Sequence, residues 1–217
     1  VFNILPIEAI LVCQGAEHKA VCQGLSRVSG KKPTVVSIPV GVSVKQYLEE
    51  WLSTGFLSQS SVLVMGLCGS LNPRYGVGDV VLYDDSDEKF TFIIQHHLKE
   101  RVSLVTAWTS DRFIHSAPEK LSLGKANNAD VIDMEGTLIQ EVLRKGKVPV
   151  ATVRVVSDDC HHNMPDLTSA INREGKLETF PLALAMMRQP VAAVQLIRGS
   201  LRGLKVLQEV TVSLFSS

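Results

Sequence analysis

A chain of 217 residues, 45% of them hydrophobic, is long enough to bury one sizeable core and predicts a single domain over residues 1–217. Its 22 basic residues balance 22 acidic ones, and the two signs are interspersed, which excludes an electrostatic footprint for nucleic acid. No apolar run reaches the roughly 18 residues of a membrane span, no signal peptide is visible, and Cys13, Cys22, Cys68 and Cys160 form no CxxC pair; Cys13 and Cys68 sit in apolar strand-like contexts and read as reduced, buried thiols of a cytoplasmic protein.

Strands and helices alternate along the chain. EAILVC, Glu8 to Cys13, is a short apolar run with strand character. A polar stretch with Glu17, His18 and Lys19 follows, then a helix start through Ala20 to Leu25. Thr34 to Val40 predicts a second strand. From Ser43 the apolar residues Val44, Tyr47, Leu48, Trp51 and Leu52 recur with helical period, ending near Gly55. SSVLVMG is a buried-type strand that runs into Gly66, and Val77 to Tyr83 predicts another. Asp84 to Lys89 reads as a charged turn, with further strands at Phe90 to Ile94 and Val102 to Ala107. Leu138 to Lys145 is helical and Ala151 to Val156 is a strand. Pro190 suits a helix start, and Val194, Ile197, Leu201, Leu204 and Leu207 form one face of the helix behind it. This interleaving predicts an α/β sheet with helices on both faces.

The stretch from Val131 to Asp158 carries the chemistry. A short acidic segment opens a helix that Gly146 ends, and the apolar strand ATVRVVS then runs to Asp158. Ligands of open α/β sheets collect beyond the carboxyl ends of strands, so Glu135 and Asp158 are expected to converge on one pocket. Two such carboxylates suit acid catalysis and hydroxyl recognition on a small polar substrate. Each also has a plainer reading. Glu135 fits a carboxylate favoured by a helix N-terminus, and Asp158 fits a turn cap. DDCHH, Asp158 to His162, contains zinc-ligand types but has no second His/Cys cluster at usable spacing. It is read as a polar loop, and no metal is expected.

Three motifs in order resemble a known family. VMGLCGSLNPRYGVGDVVL (Val64 to Leu82), VIDMEGT and VRVVSDD look like the signatures of the nucleoside phosphorylase and nucleosidase superfamily. The Glu135 to Asp158 spacing and TSDRFI, Thr109 to Ile114, are similar to its methylthioadenosine/S-adenosylhomocysteine nucleosidase branch. The resemblance implies a phosphorylase/hydrolase-like fold with a central mixed twisted sheet, and cleavage of the N-glycosidic bond of a purine nucleoside. It implies that Asp158 assists the leaving base, that Glu135 holds the ribose hydroxyls, and that Met134 packs on the ribose. Phe113 would stack on the base, where a ring is worth roughly 1–3 kcal/mol. Glu17 is the candidate for activating water. Asp133, Ile114, Ser157, Cys68 and Gly69 complete the implied substrate-binding set. No organic cofactor is implied, and a homo-oligomer is.

The departures bear on the acceptor. Where phosphate-using members place an arginine and a serine, this chain has Val64 and Leu67, neither of which binds an anion through its side chain. Backbone N–H groups of Gly66 and Leu67 remain possible anion donors, with phosphate then a co-substrate and Arg74, Arg112 or Arg154 as its partner. Hydrolysis is the preferred expectation. Phosphorolysis, a nucleosidase acting on a bulky adenosyl adduct such as an adenosylated hopanoid, and a non-catalytic nucleoside-binding or storage protein are the alternatives.

Overall fold

A computed structural model describes residues 7–54, 61–167 and 179–216; the expected helix end near Gly55 lies outside them. The first half runs β1 (Ala9–Cys13), α1 (Ala16–Ser26), β2 (Thr34–Ile38), α2 (Ser43–Ser53), β3 (Val62–Ser70), β4 (Val80–Tyr83) and α3 (Glu88–Leu98). The second runs β5 (Val102–Val105), β6 (Ala107–Thr109), α4 (Ala117–Asn127), β7 (Val131–Asp133), α5 (Gly136–Lys145), β8 (Val150–Asp158), α6 (Thr179–Arg188) and α7 (Pro190–Phe215).

The strands form one mixed sheet in the order β2-β1-β3-β8-β4-β5, with β7 on the end of β3 and β6 beside β7. β1, β3 and β8 run parallel, so their carboxyl ends lie together. β4 and β7 run antiparallel to their neighbours β8 and β3. The two longest strands, β3 and β8, are central, and their near-continuous apolar sequences are what burial on both faces selects. On one face Leu63, Met65, Val153 and Val155 pack with Leu207 and Val210 of α7. On the other, Val62, Val64 and Val150 pack with Ile139, Val142 and Leu143 of α5.

Two expectations fail here, one of them in part. Phe90 to Ile94 is part of helix α3, not a strand. Asp87 caps it by accepting from the Lys89 and Phe90 N–H groups at 3.0 and 3.4 Å, and Phe90, Ile94 and Leu98 are buried at a four-residue spacing. A five-residue window around Phe90 hides that period, and the Asp87 cap decides it. The apolar face expected on α7 holds only in its second half, where Leu207 is buried and Leu204 packs against the core. Val194, Ile197 and Leu201 are exposed, whereas Ala193, Gly199, Gly203, Leu207, Val210 and Leu214 are buried. Glycine, which carries no apolar weight in a pattern, marks the contact instead.

Candidate active site

The carboxyl ends of β1, β3 and β8 open onto a cavity of about 500 Å³. Glu17, Leu67, Cys68, Gly69, Phe113, Ile114, Asp133, Met134, Glu135, Ser157 and Asp158 all line it. Of the arginines considered, Arg112 and Arg154 line it. Val64 is a core residue of β3 and Gly66 sits within that strand.

Arg154 organises the interior. An arginine in an apolar strand must be paired, and it is 1% exposed. Its Nη2 donates to Asp133 Oδ2 at 3.2 Å and lies 4.0 Å from Glu135 Oε2. Asp133 is saturated. Oδ1 accepts from the Gly136 N–H at 3.0 Å and Thr109 Oγ1 at 2.8 Å, and Oδ2 also accepts from Tyr83 Oη at 2.9 Å. It ties β4, β6, α5 and β8 together and fixes Arg154 at the cavity wall. Glu135 stands at the start of α5 but does not cap it. Its Oε1 accepts from the Gly41 N–H at 2.9 Å, so the helix-start reading gives way to a carboxylate turned to the cavity. Burial pushes its carboxyl up against the opposing pull of Arg154.

Glu17, in the first turn of α1, sends Oε2 into the interior, where it is buried without a hydrogen-bond partner. Burial raises its carboxyl from 4.5 to about 7; Arg154 opposes the rise and Glu135 adds to it. Gly66 makes the arrangement possible, because a methyl there would collide with both Glu17 and Arg154. Gly66 and Leu67 are thus strand residues that clear room for a carboxylate, not a loop that cradles an anion. The Leu67 N–H lies against Glu17 itself. This corrects their expected role.

At the other end of the cavity the β3–β8 register shifts, with Cys68 opposite Val156 and Gly69 opposite Asp158. The extra residue is Ser157, and the resulting bulge turns both Ser157 and Asp158 toward the cavity, where strict alternation would send one away. Ser157 Oγ donates to Asp158 Oδ1 at 2.7 Å, with the Cys68 carbonyl at 3.2 Å. Asp158 Oδ2 pairs with Lys120, a residue of α4 whose side chain is 1% exposed. Sequence reasoning missed Lys120, since nothing in APEKLSLGK marks one lysine as buried. It considered Arg154 only as a phosphate ligand, although an arginine inside ATVRVVS is itself the signal of a buried ion pair.

In the DDCHH run, Asp159 accepts from the His161 and His162 N–H groups at 2.9 and 3.0 Å and contacts His162 Nδ1 at 2.9 Å, while Cys160 is buried. Among the described residues no cluster of three or more metal-ligating side chains forms, and no helix is long and apolar enough to cross a membrane.

A family model of the phosphorylase superfamily matches residues 86–186, the stretch that carries Lys120, Asp133, Glu135, Arg154 and Asp158. The fold is that of the phosphorylase superfamily. The S-adenosylhomocysteine nucleosidase of Streptococcus pyogenes is similar over 98% of both chains, with 15% identity and a TM-score of 0.69. The Helicobacter pylori 5′-methylthioadenosine/S-adenosylhomocysteine nucleosidase is similar over 98% of both chains, at 15% identity and 0.68. Futalosine hydrolase of the same organism is similar over 95% of both, at 15% and 0.66. No curated protein matches the sequence. The phosphorylase-superfamily architecture explains why three carboxylates from distant parts of the chain share one cavity: its parallel central strands end side by side.

Proposed function

We propose that the protein is an enzyme that hydrolyses the N-glycosidic bond of a purine nucleoside or a compound bearing one. The observation that carries the reading is the convergence of Glu17, Glu135 and Asp158, each from a different element, on one cavity. Cleavage builds positive charge on the sugar and negative charge on the base. Glu135 grips the ribose hydroxyls and favours the cationic sugar, Met134 packs against the ring, Phe113 stacks on the base, and Asp158 is the base-side carboxylate. Glu17 takes a proton from the attacking water, a role that typically contributes about 10²–10⁴ in rate.

Charge favours water over phosphate. Arg154 already faces Asp133 and Glu135 and opposes the rise of Glu17, and Arg112 pairs with Glu119, so both guanidiniums of the cavity wall already have carboxylate partners that an incoming dianion would have to compete with. The reading calls on no organic cofactor. It places the enzyme in the cytoplasm, in keeping with four free thiols. It also makes the working form a homo-oligomer, supported by the apolar side chains of Phe180, Met187, Val191 and Leu201 at the surface of α6 and α7.

The variants Glu135→Ala and Asp158→Asn test the assignment. E135A should weaken nucleoside binding, and D158N should cut turnover more than binding. Unchanged binding and turnover in both would leave a non-catalytic protein as the better reading.

A further inference from the structure

Lys120 stands in the interior against Asp158. Its position is costly: a lysine with a 1% exposed side chain must be paired to stay charged in the interior. Two of its three N–H donors have partners, one in Asp158 Oδ2 and one in the Asp159 carbonyl at 3.0 Å. The other oxygen of Asp158 accepts from Ser157 Oγ at 2.7 Å. Both oxygens of the base-side carboxylate therefore accept hydrogen bonds from the protein. A carboxylate in that state has no proton of its own to hand to a leaving group, while the ammonium bonded to it has three. Lys120 also lines the cavity.

We infer that Lys120 and Asp158 act as one proton-delivering unit, in which the proton that ends on the departing base leaves Lys120 Nζ and passes through the Asp158 carboxylate. The inference rests on the function proposed above and names the proton source that the site otherwise lacks. As the bond from the sugar C1′ to the base breaks, its electron pair stays with the base. Asp158 gives a proton to a ring nitrogen of the base and takes one from Lys120, so one N–H breaks, one forms, and the carboxylate ends as it began. Neutral Lys120 regains a proton from water once the base has left. On the sugar side, hydroxide from the attacking water joins C1′ and the water's other proton goes to Glu17.

Lysine suits the task where arginine does not, because a buried lysine exchanges its proton and a guanidinium keeps it. The titratable groups around the pair are Asp159 and Cys160 next along the chain, Cys68 from β3, and His162, which bonds Asp159. Arg198 and Arg202 of α7 border the adjoining hollow behind Asp158.

The plainer role, a staple between α4 and the end of β8, makes different predictions for K120M and K120R. Their kcat and KM are measured on a purine nucleoside across the pH range, with thermal melting alongside. K120M is expected to lose about 10²–10³ in kcat with KM within about threefold. Its residual rate, relative to the parent protein at the same pH, should climb as pH falls, since solvent must then supply the proton. K120R keeps an ion pair with Asp158, so its melting and KM stay near those of the parent protein, yet its kcat stays low. Recovery of kcat in K120R, or a loss in K120M that is the same at every pH, overturns the inference. Should K120M fail to fold, K120R decides. Parent protein that frees no base from any nucleoside sinks the function reading first, and the two failures are thereby distinct.

Discussion

Glu17 carries an internal tension. Its Oε2 is buried and unpartnered, which costs stability, and the opposing pull of Arg154 does not prevent its carboxyl from rising to about 7. A group raised in the folded state above its unfolded value stabilises the fold most below the unfolded value. That contribution is lost as pH rises through about 7. The rise from 4.5 to about 7 is worth at most roughly 3 kcal/mol. E17Q should therefore melt several degrees higher than the parent above pH 8 or so, with the gap closing toward about pH 5. The same substitution should cut kcat by about 10²–10⁴, because the base that accepts the water proton is gone. In the parent protein the rate should rise with pH through about 7, as Glu17 becomes free to accept. A destabilised E17Q, or one that keeps its turnover, would remove Glu17 from the chemistry.

At the scale of elements, the site depends on how closely α7 approaches the end of β8. Gly199 faces the Ser157 carbonyl so tightly that a methyl there would collide with it. Gly203 meets Leu67 of β3, where a methyl would lie 3.0 Å from Leu67 Cδ2. The backbone contact at Gly199 has no flexible end to yield, so G199A must push α7 away from the bulge that aims Asp158. It should cost about 1–3 kcal/mol in a denaturation midpoint and slow turnover, with KM for the sugar end little changed. An unperturbed G199A would show that the helix has room to spare.

The same contacts explain what was legible in the sequence. Glu135 and Asp158 could be read because each sits where a parallel strand or a helix start meets the cavity, and such positions have a sequence form. The spacing of Val44, Leu48 and Trp51 revealed α2 for the same reason. Lys120 could not be read, because its burial follows from α4 docking beside the β8 end, a long-range fact with no local trace. The part of the buried face of α7 at Gly199 and Gly203 is hidden because close approach selects glycine, which carries no apolar weight in a pattern. The apolar run at Phe90 is short enough to fit a strand, and the capping Asp87 with the longer spacing of Phe90, Ile94 and Leu98 distinguishes the helix.

At the scale of the molecule, one mixed sheet gathers Glu17, Glu135 and Asp158 from positions far apart in the chain; Arg154 lies against the first two and Lys120 pairs with the third. The apolar side chains on α6 and α7 lie outside that frame. If they meet a second copy, replacing Val191 and Leu201 with aspartate should lower the solution mass to that of a monomer in light scattering while leaving the helix content intact. An unchanged mass would place the contact elsewhere or remove it. The central claim is hydrolysis at this cavity, and it is tested most directly by incubating the protein with adenosine, inosine, methylthioadenosine and S-adenosylhomocysteine in phosphate-free buffer and measuring free base and sugar. Release of base with a sugar bearing a free anomeric hydroxyl, at a rate that added phosphate does not raise, is the predicted result. Release only when phosphate is present, with a sugar 1-phosphate as product, would contradict it.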